Sequence, residues 1–542
     1  MKGRRGQIGK VSVRQATLDL LRGLGMTTVF GNPGSTELPF LSDWPNDFRY
    51  VLGLQESSVV AMADGFARAS GKAAFCNLHS AVGIGHALGS VFTAFRNQTP
   101  LVITAGQQAR SLLPMQPFLG ATEAANFPKP YVKWSCEPAR AEDVPVAIAH
   151  AYYVAMQKPH GPTFVSIPSD DWNVETFPVA PRVVSNDAVP DPDLLAHLAA
   201  ALAAAERPVF VIGPEVDAER AGDAAVALAE RVGAAVWVSP FSSRVSFPER
   251  HPLFAGFLPA APQPISDTLS AHDLVVVLGA PVFTFHVPGD CALFRSDRPL
   301  YQITMDGDAA ASAPVGTSIV ASLRLALPAL AALLPQSARP SSRARRPGRE
   351  APAATTPILA EFLMHCLAAT LPEGGIVVEE APSHRPAMQA HLPMRRYGTF
   401  YTMASGGLGY GLPAAVGVSL AEPARRVVCV IGDGSLMYSI QALWTAVQHR
   451  LPLAVVVVNN GGYGALRSFS RVLDVRSPPG IDVPGLDFVQ LAAGMGCPGV
   501  RVTRAESLQA ALVDALRSDM PQLVDVVVDP AIPMLYDSQD RH

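Results

Sequence analysis

Two short stretches in the last third of the chain hold the residue types best suited to chemistry. Gly432-Asp433-Gly434-Ser435 closes the apolar run RRVVCVI, and Asn459-Asn460-Gly461-Gly462 closes the next, LAVVVV. A carboxylate, an amide oxygen and a backbone carbonyl make a hard oxygen set that suits Mg2+ or Ca2+, with ligand phosphates completing the shell. Glycines let backbone groups come close to phosphate, and the N–H groups at a helix start favour an anion. A lone GDG is mostly a tight turn. Two such ends in succession, each after a hydrophobic run, favour a metal–phosphate site over two unrelated turns.

Bringing Asp433 beside Asn460 requires that the two runs be neighbouring strands of one parallel sheet, as successive strands usually are. The rest of the chain reads the same way. TTVF, FRYVLGL, AAFCNL, PLVITAG and TFVSIP form one set of short apolar runs, and PVFVIG, AAVWVS, DLVVVLG and YQIT form a second. GIVVEE, RRVVCVIG, LAVVVVNN and QLVDVVVD form a third. Unbroken Val/Ile/Leu runs with amphipathic stretches between them indicate strands covered by helices on both faces. The fold class expected is α/β, with three doubly wound parallel-sheet domains whose ligands bind beyond the carboxyl ends of the strands. Pro-rich polar stretches at 175–193 and 336–357 separate the sets. The expected division is 1–180, 190–335, a linker over 336–357, and 358–535.

Composition excludes several other classes. The 542 residues exceed what a single core supports, and 49% hydrophobic with 16% charged residues rules out a disordered chain. A net charge of −4 offers no general field for nucleic acid or an anionic membrane. Cys76, Cys136, Cys291, Cys366, Cys429 and Cys497 are scattered with no CxxC pair, which speaks against a zinc site or disulfide framework and for a reducing compartment. The basic N-terminus lacks the apolar core of a signal peptide, and the long apolar stretches are interrupted by His197, Arg324 and Pro328. A cytoplasmic protein with a small-molecule ligand, and neither a nucleic-acid nor a membrane partner, is expected.

The GDGS…NN pairing closely resembles the fingerprint of thiamin-diphosphate enzymes. The resemblance implies that Asp433, the Asn460 side chain and the Gly462 carbonyl bind the metal, and that Gly432, Gly434, Ser435 and Tyr463 lie along the diphosphate. It also implies a glutamate that activates the cofactor through its aminopyrimidine ring. Glu56, within ESSVVAMADGFARASGK, matches that position; without the surrounding pattern it would read as a helix N-terminal carboxylate. Leu408, in SGGLGYGLPAA, matches the apolar wedge beneath the cofactor, a role compatible with helix-start packing.

Three further motifs resemble benzoylformate decarboxylases, which combine one serine and two histidines in such contexts. FGNPGSTELPF places Ser35 where a substrate carboxylate is held, FCNLHSAVGIGHALG supplies His79, and GAPVFTFHVPG supplies His286. In decarboxylation the keto oxygen needs a proton, as does the carbon left by carbon dioxide, and histidine titrates in the right range. His86, on the helix that follows, reads as a structural group, and His384 remains open between the two roles. The resemblance spans nearly the whole chain. It implies a pyruvate decarboxylase-like fold of pyrimidine-binding, middle and diphosphate-binding domains, and a homotetramer with active sites between subunits.

One departure falls beside the expected pocket, where relatives carry a Ser/Thr-rich segment and this chain has Ala381-Pro382-Ser383-His384-Arg385-Pro386. Arg385 is expected to reshape the pocket or to bring a cation near the acid, and Met403 and Phe469 are further candidate lining residues. The reaction expected is non-oxidative decarboxylation of an aromatic 2-oxo acid, benzoylformate first. Its alternatives are another 2-oxo acid, an acetolactate-synthase-like carboligase with FAD in the middle domain, and a non-catalytic nucleotide-binding protein.

Overall fold

The computed structural model describes residues 9–335, 350–532 and 534–536. Of the linker expected over 336–357, residues 336–349 lie outside the described residues. The chain forms two compact units.

The first unit comprises residues up to Asn186 together with Ser405–Ala424 and Tyr438–Leu451. Its parallel sheet contains β1 (Thr28–Asn32), β2 (Arg49–Leu52), β3 (Ala74–Leu78), β4 (Leu101–Gln107), β5 (Ser135–Cys136) and β6 (Pro162–Pro168), in the order β2-β1-β3-β4-β6-β5. His79 directly follows β3, Ser35 lies in the short turn after β1 and Glu56 just past the one after β2, so the parallel order of these adjacent strands brings all three to the carboxyl side of the sheet. Helix α1 (Glu56–Ser70) begins at Gln55, whose side chain accepts the Ser58 N–H, and stops at Gly71 with φ +69°. It packs on α2 (Ser80–Arg96) and on α3 (Gly411–Ala421), a helix contributed from far along the chain. The α1–α3 crossing is close enough to demand glycine. A Cβ on Gly65 would fall 2.1 Å from the Ala414 carbonyl oxygen, and one on Gly417 would fall 1.9 Å from that of Met62.

The second unit holds two further parallel sheets. In the middle one, β7 (Pro208–Ile212), β8 (Ala235–Val238), β9 (Phe254–Phe257), β10 (Leu274–Leu278), β11 (Leu300–Thr304) and β12 (Thr317–Val320) lie in the order β9-β8-β7-β10-β11-β12. In the last, β13 (Ile376–Glu380), β14 (Phe400–Thr402), β15 (Val427–Gly432), β16 (Leu453–Asn459), β17 (Gly499–Val502) and β18 (Gln522–Val527) lie in the order β14-β13-β15-β16-β18-β17. The central strands of both sheets are fully buried, as continuous apolar runs require. Three doubly wound sheets are therefore present, as the runs indicate. In these three sheets the sequence reading missed five strands, β5, β9, β12, β14 and β17, each an edge strand of its sheet, and it also missed the short antiparallel pair Val11–Ser12 and Glu175–Thr176. Among the described residues no helix is long and apolar enough to cross a membrane.

Candidate active site

In the first unit, Glu56 is the first residue of α1 and only 8% exposed. Its carboxylate faces Gly83 of α2, where a Cβ would stand 3.2 Å from Oε1. Oε2 lies 3.1 Å from Nδ1 of His86. The histidine that the sequence left as a bystander is thus the direct partner of the candidate activating carboxylate.

His79 caps the junction between β3 and α2, and Ser80 after it takes a left-handed φ of +49°. Its Nδ1 lies 2.9 Å from Glu37 Oε2 and 3.3 Å from Thr36 Oγ1. Glu37 is 1% exposed and accepts the N–H groups of Gly34 and Gly106, each at 2.8 Å, and the Thr36 hydroxyl at 2.7 Å. Donors on every side suit an ionised carboxylate, which has only acceptors to offer. The proton between it and His79 therefore sits on Nδ1, and Nε2 is left for chemistry. Gly34 permits the arrangement, since a Cβ there would overlap the imidazole at 2.0 Å. Glu37 is absent from the sequence reading although it lies within the quoted FGNPGSTELPF motif. Ser35 is exposed in the turn just before it, and Leu408 is half-buried in the loop leading to α3.

In the second unit β15 and β16 are direct neighbours, with Gly432 opposite Val458, so Asp433 and Asn460 emerge side by side. Asp433 is 4% exposed, and burial pushes its carboxyl above the usual range. It accepts the N–H groups of Gly434 at 2.9 Å and Gly462 at 2.8 Å, and makes no ion pair among the described residues. A buried carboxylate answered only by amide dipoles fits a divalent cation. Gly462 has φ +153°, and a Cβ on it would come 2.3 Å from the Ile481 carbonyl oxygen. The backbone itself therefore calls for glycine at this position. The Tyr463 ring covers Gly434, where a Cβ would stand 2.5 Å from it, and Ser435 is buried in the same turn. The helix that GDGS opens, α4 (Asp433–Leu436), is a single turn, so the individual N–H groups, rather than a long helix dipole, face an anion here.

The Asn460 amide nitrogen lies 3.2 Å from Nε2 of His384, a buried imidazole that desolvation pushes down to about 4. A neutral Nε2 accepts that N–H and so turns the amide with Nδ2 toward itself. Arg385, one residue on, does not bring a cation to the pocket. Its guanidinium bonds the buried Glu379 carboxylate and, at 2.8 Å, the Thr402 hydroxyl. A buried acid below the strand end has captured it, a partner the local sequence did not reveal.

His286 stands in an aromatic setting. Its ring centroid is 4.8 Å from that of Phe469, 5.6 Å from Phe241 and 5.5 Å from Tyr536. Its Nδ1 lies 3.0 Å from the Tyr536 hydroxyl, and desolvation lowers its pKa. Phe469 belongs to α5 (Gly464–Val472), the helix that follows the NNGGY turn. Met403 is buried at the end of β14, with its sulfur 3.4 Å from the Thr402 hydroxyl.

Comparison with known proteins accords with this geometry. Models of the thiamine pyrophosphate enzyme N-terminal, central and C-terminal domains match residues 11–127, 195–330 and 381–526. The chain is 46% identical to a benzoylformate decarboxylase of Pseudomonas aeruginosa over 95% of its own length and 98% of the relative's. Two solved structures superpose with a TM-score of 0.92. One is a benzoylformate decarboxylase from Polynucleobacter necessarius, at 40% identity over 96% of this chain and 99% of that one. The other is a 4-hydroxybenzoylformate decarboxylase from Rhodococcus jostii RHA1, at 43% identity over 97% and 100%. With the three domain types in sequence and a near full-length relative at this identity, the chain belongs to the thiamine pyrophosphate enzyme family.

Proposed function

We propose that this protein is a carboxy-lyase that converts benzoylformate, or a closely related aryl 2-oxo acid, to the aldehyde and carbon dioxide. The observation that carries the reading is the grouping of Phe241, Phe469 and Tyr536 around the exposed His286 ring, an aromatic wall suited to an aryl group beside a proton-carrying ring. The pairing of Arg385 with Glu379 supports it, because the cation that would have favoured a different acid is already engaged.

Thiamin diphosphate, when bound, supplies a thiazolium ring that accepts the electron pair released as carbon dioxide departs. Asp433, Asn460 and the Gly462 carbonyl would hold a Mg2+ or Ca2+ ion, and Gly432, Gly434, Ser435 and Tyr463 would line the diphosphate. Glu56 would exchange a proton at its carboxylate with the pyrimidine ring, and Leu408 would pack against the cofactor. Ser35 orients the substrate carboxylate. His79 gives a proton from Nε2 to the keto oxygen, its ring held by Glu37. His286 gives a proton from Nε2 to the carbon that carbon dioxide has left. These groups act by position and proton transfer, each typically contributing about 10²–10⁴-fold.

A homotetramer with active sites between subunits accompanies the reading. Phe118, Met115, Leu38 and Val82 of the first unit are more than half exposed, apolar surface that a second copy would cover. Six unpaired cysteines suit the cytoplasm. The test is a panel of aryl and alkyl 2-oxo acids assayed for aldehyde release. Benzoylformate should be turned over far faster than pyruvate, and a preference for pyruvate would refute the aryl assignment.

A further inference from the structure

We propose that Tyr536 is a positioning residue for His286, and that the C-terminal segment is fastened along α5 in order to hold it there. The inference rests on the reading that His286 handles a proton. The segment leaves the sheet with the Asp529 N–H bonded to the Ile358 carbonyl at 2.8 Å. Ile532 is buried against Gly464, where a Cβ would come within 2.8 Å of its Cγ1. Arg471 donates to the Ile532 carbonyl at 3.2 Å, and the Leu535 N–H donates to Ser468 Oγ at 2.8 Å. Gly464, Ser468 and Arg471 all belong to α5, which also presents Phe469 to His286. One helix therefore fixes both the aromatic wall and the segment that delivers the Tyr536 hydroxyl to Nδ1 at 3.0 Å.

The chemistry of the partner matters. The carboxylate of Glu37 can only accept, so it commits His79 Nδ1 to carrying a proton. A phenol hydroxyl does both. It accepts from Nδ1–H of the imidazolium and of the neutral ring left when Nε2 gives up its proton, and by rotating it donates to Nδ1 of the other neutral tautomer. The His286 ring thus keeps one orientation in both charge states without a neighbouring charge, and Nε2 remains the atom that exchanges the proton. The two rings are nearly perpendicular, at 86°, which leaves the far edge of the imidazole clear of the tyrosine.

The test is Tyr536→Phe in the full-length holoenzyme, which keeps the ring and removes the hydroxyl. Cofactor retention and KM should stay within about twofold of wild type, kcat should fall roughly tenfold or more, and the pH profile of kcat should move. Site-resolved carbethoxylation of His286, read by mass spectrometry, should speed up severalfold as the tether is lost. Adding Tyr536→Phe to His286→Ala should cost nothing further. Wild-type values for kcat, pH profile and His286 modification would overturn the proposal, as would fully additive losses in the double variant. Should His286→Ala alone keep wild-type kcat, the role given to His286 fails, while the modification rate still reads the tether directly.

Discussion

Nδ1 of His86 lies 3.1 Å from Oε2 of Glu56, so the carboxylate expected to activate the cofactor is held from behind by an imidazole on α2. The remaining face of the carboxylate looks toward Gly83, where the absence of a side chain leaves it room. Glu56→Gln preserves the shape and a hydrogen bond to His86 but cannot exchange the proton. Turnover should fall by about 10²–10⁴-fold while bound cofactor stays near stoichiometric, as measured by cofactor content after gel filtration. Near-normal turnover would remove Glu56 from the mechanism.

Glu37 sets the His79 tautomer through a 2.9 Å contact at Nδ1. In Glu37→Gln the amide can present N–H to Nδ1, and the lost carboxylate no longer supports the imidazolium from which Nε2 gives its proton. We expect a fall in kcat of roughly 10²-fold or more, little change in cofactor binding, and a changed pH profile. Full activity in this variant would show that His79 is not held through Glu37.

Asp433→Ala takes away the carboxylate that accepts the Gly462 N–H at the junction of β15 and β16. The variant should lose cofactor on gel filtration, and excess divalent cation with thiamin diphosphate should restore it only in part. A variant that stays fully loaded would contradict the metal assignment.

Gly462→Ala tests the backbone directly. Alanine at φ +153° is strained, and its Cβ would collide with the Ile481 carbonyl at 2.3 Å. A loss of about 1–3 kcal/mol is expected, seen as a lower Tm of the cofactor-free protein. An unchanged Tm would mean that the NNGG turn adopts another conformation.

Glu215 carries a pH prediction in the middle sheet. Burial raises its carboxyl to about 7, even though Thr304 Oγ1 at 2.7 Å and the Met305 N–H at 3.0 Å hydrogen-bond it. The folded state therefore binds a proton more tightly than the unfolded chain, whose carboxyl titrates near the ordinary value of 4.5. Its stabilising effect is whole below that value and is lost as pH rises through about 7, on the order of 3 kcal/mol. Glu215→Gln should accordingly gain in Tm relative to wild type as pH goes from about 5 to about 8. A difference independent of pH would contradict the raised value.

Much of this was legible in the sequence because buried parallel strands announce themselves. Every run of Val, Ile and Leu assigned as a strand became one, and the two strand ends carrying Asp433 and Asn460 lie side by side. The strands missed in the three parallel sheets are edge strands, and most show too little burial to leave an apolar run. Gly499–Val502 has two exposed residues of four, and Ser135–Cys136 is only two residues long. Phe400–Thr402 is buried but stops after three. Side-chain partners were harder. Glu37 and His86 look ordinary on their own helices and turns, and only the folding of β1, β3 and α2 together reveals what they touch. Arg385 misled for the same reason, since its partner Glu379 was read as part of a strand and not as a buried acid in need of a cation. Nothing local marks Ser405–Ala424 and Tyr438–Leu451 as belonging to the first unit; the glycine contacts of α1 with α3 are made across more than three hundred residues.

The most direct measurement is aldehyde release by the purified protein supplied with thiamin diphosphate, Mg2+ and benzoylformate, with Glu56→Gln as control. The account predicts benzaldehyde and carbon dioxide in equal amounts, dependent on the cofactor and nearly abolished in the control. A cofactor-loaded protein that releases no aldehyde from any aryl 2-oxo acid would contradict it.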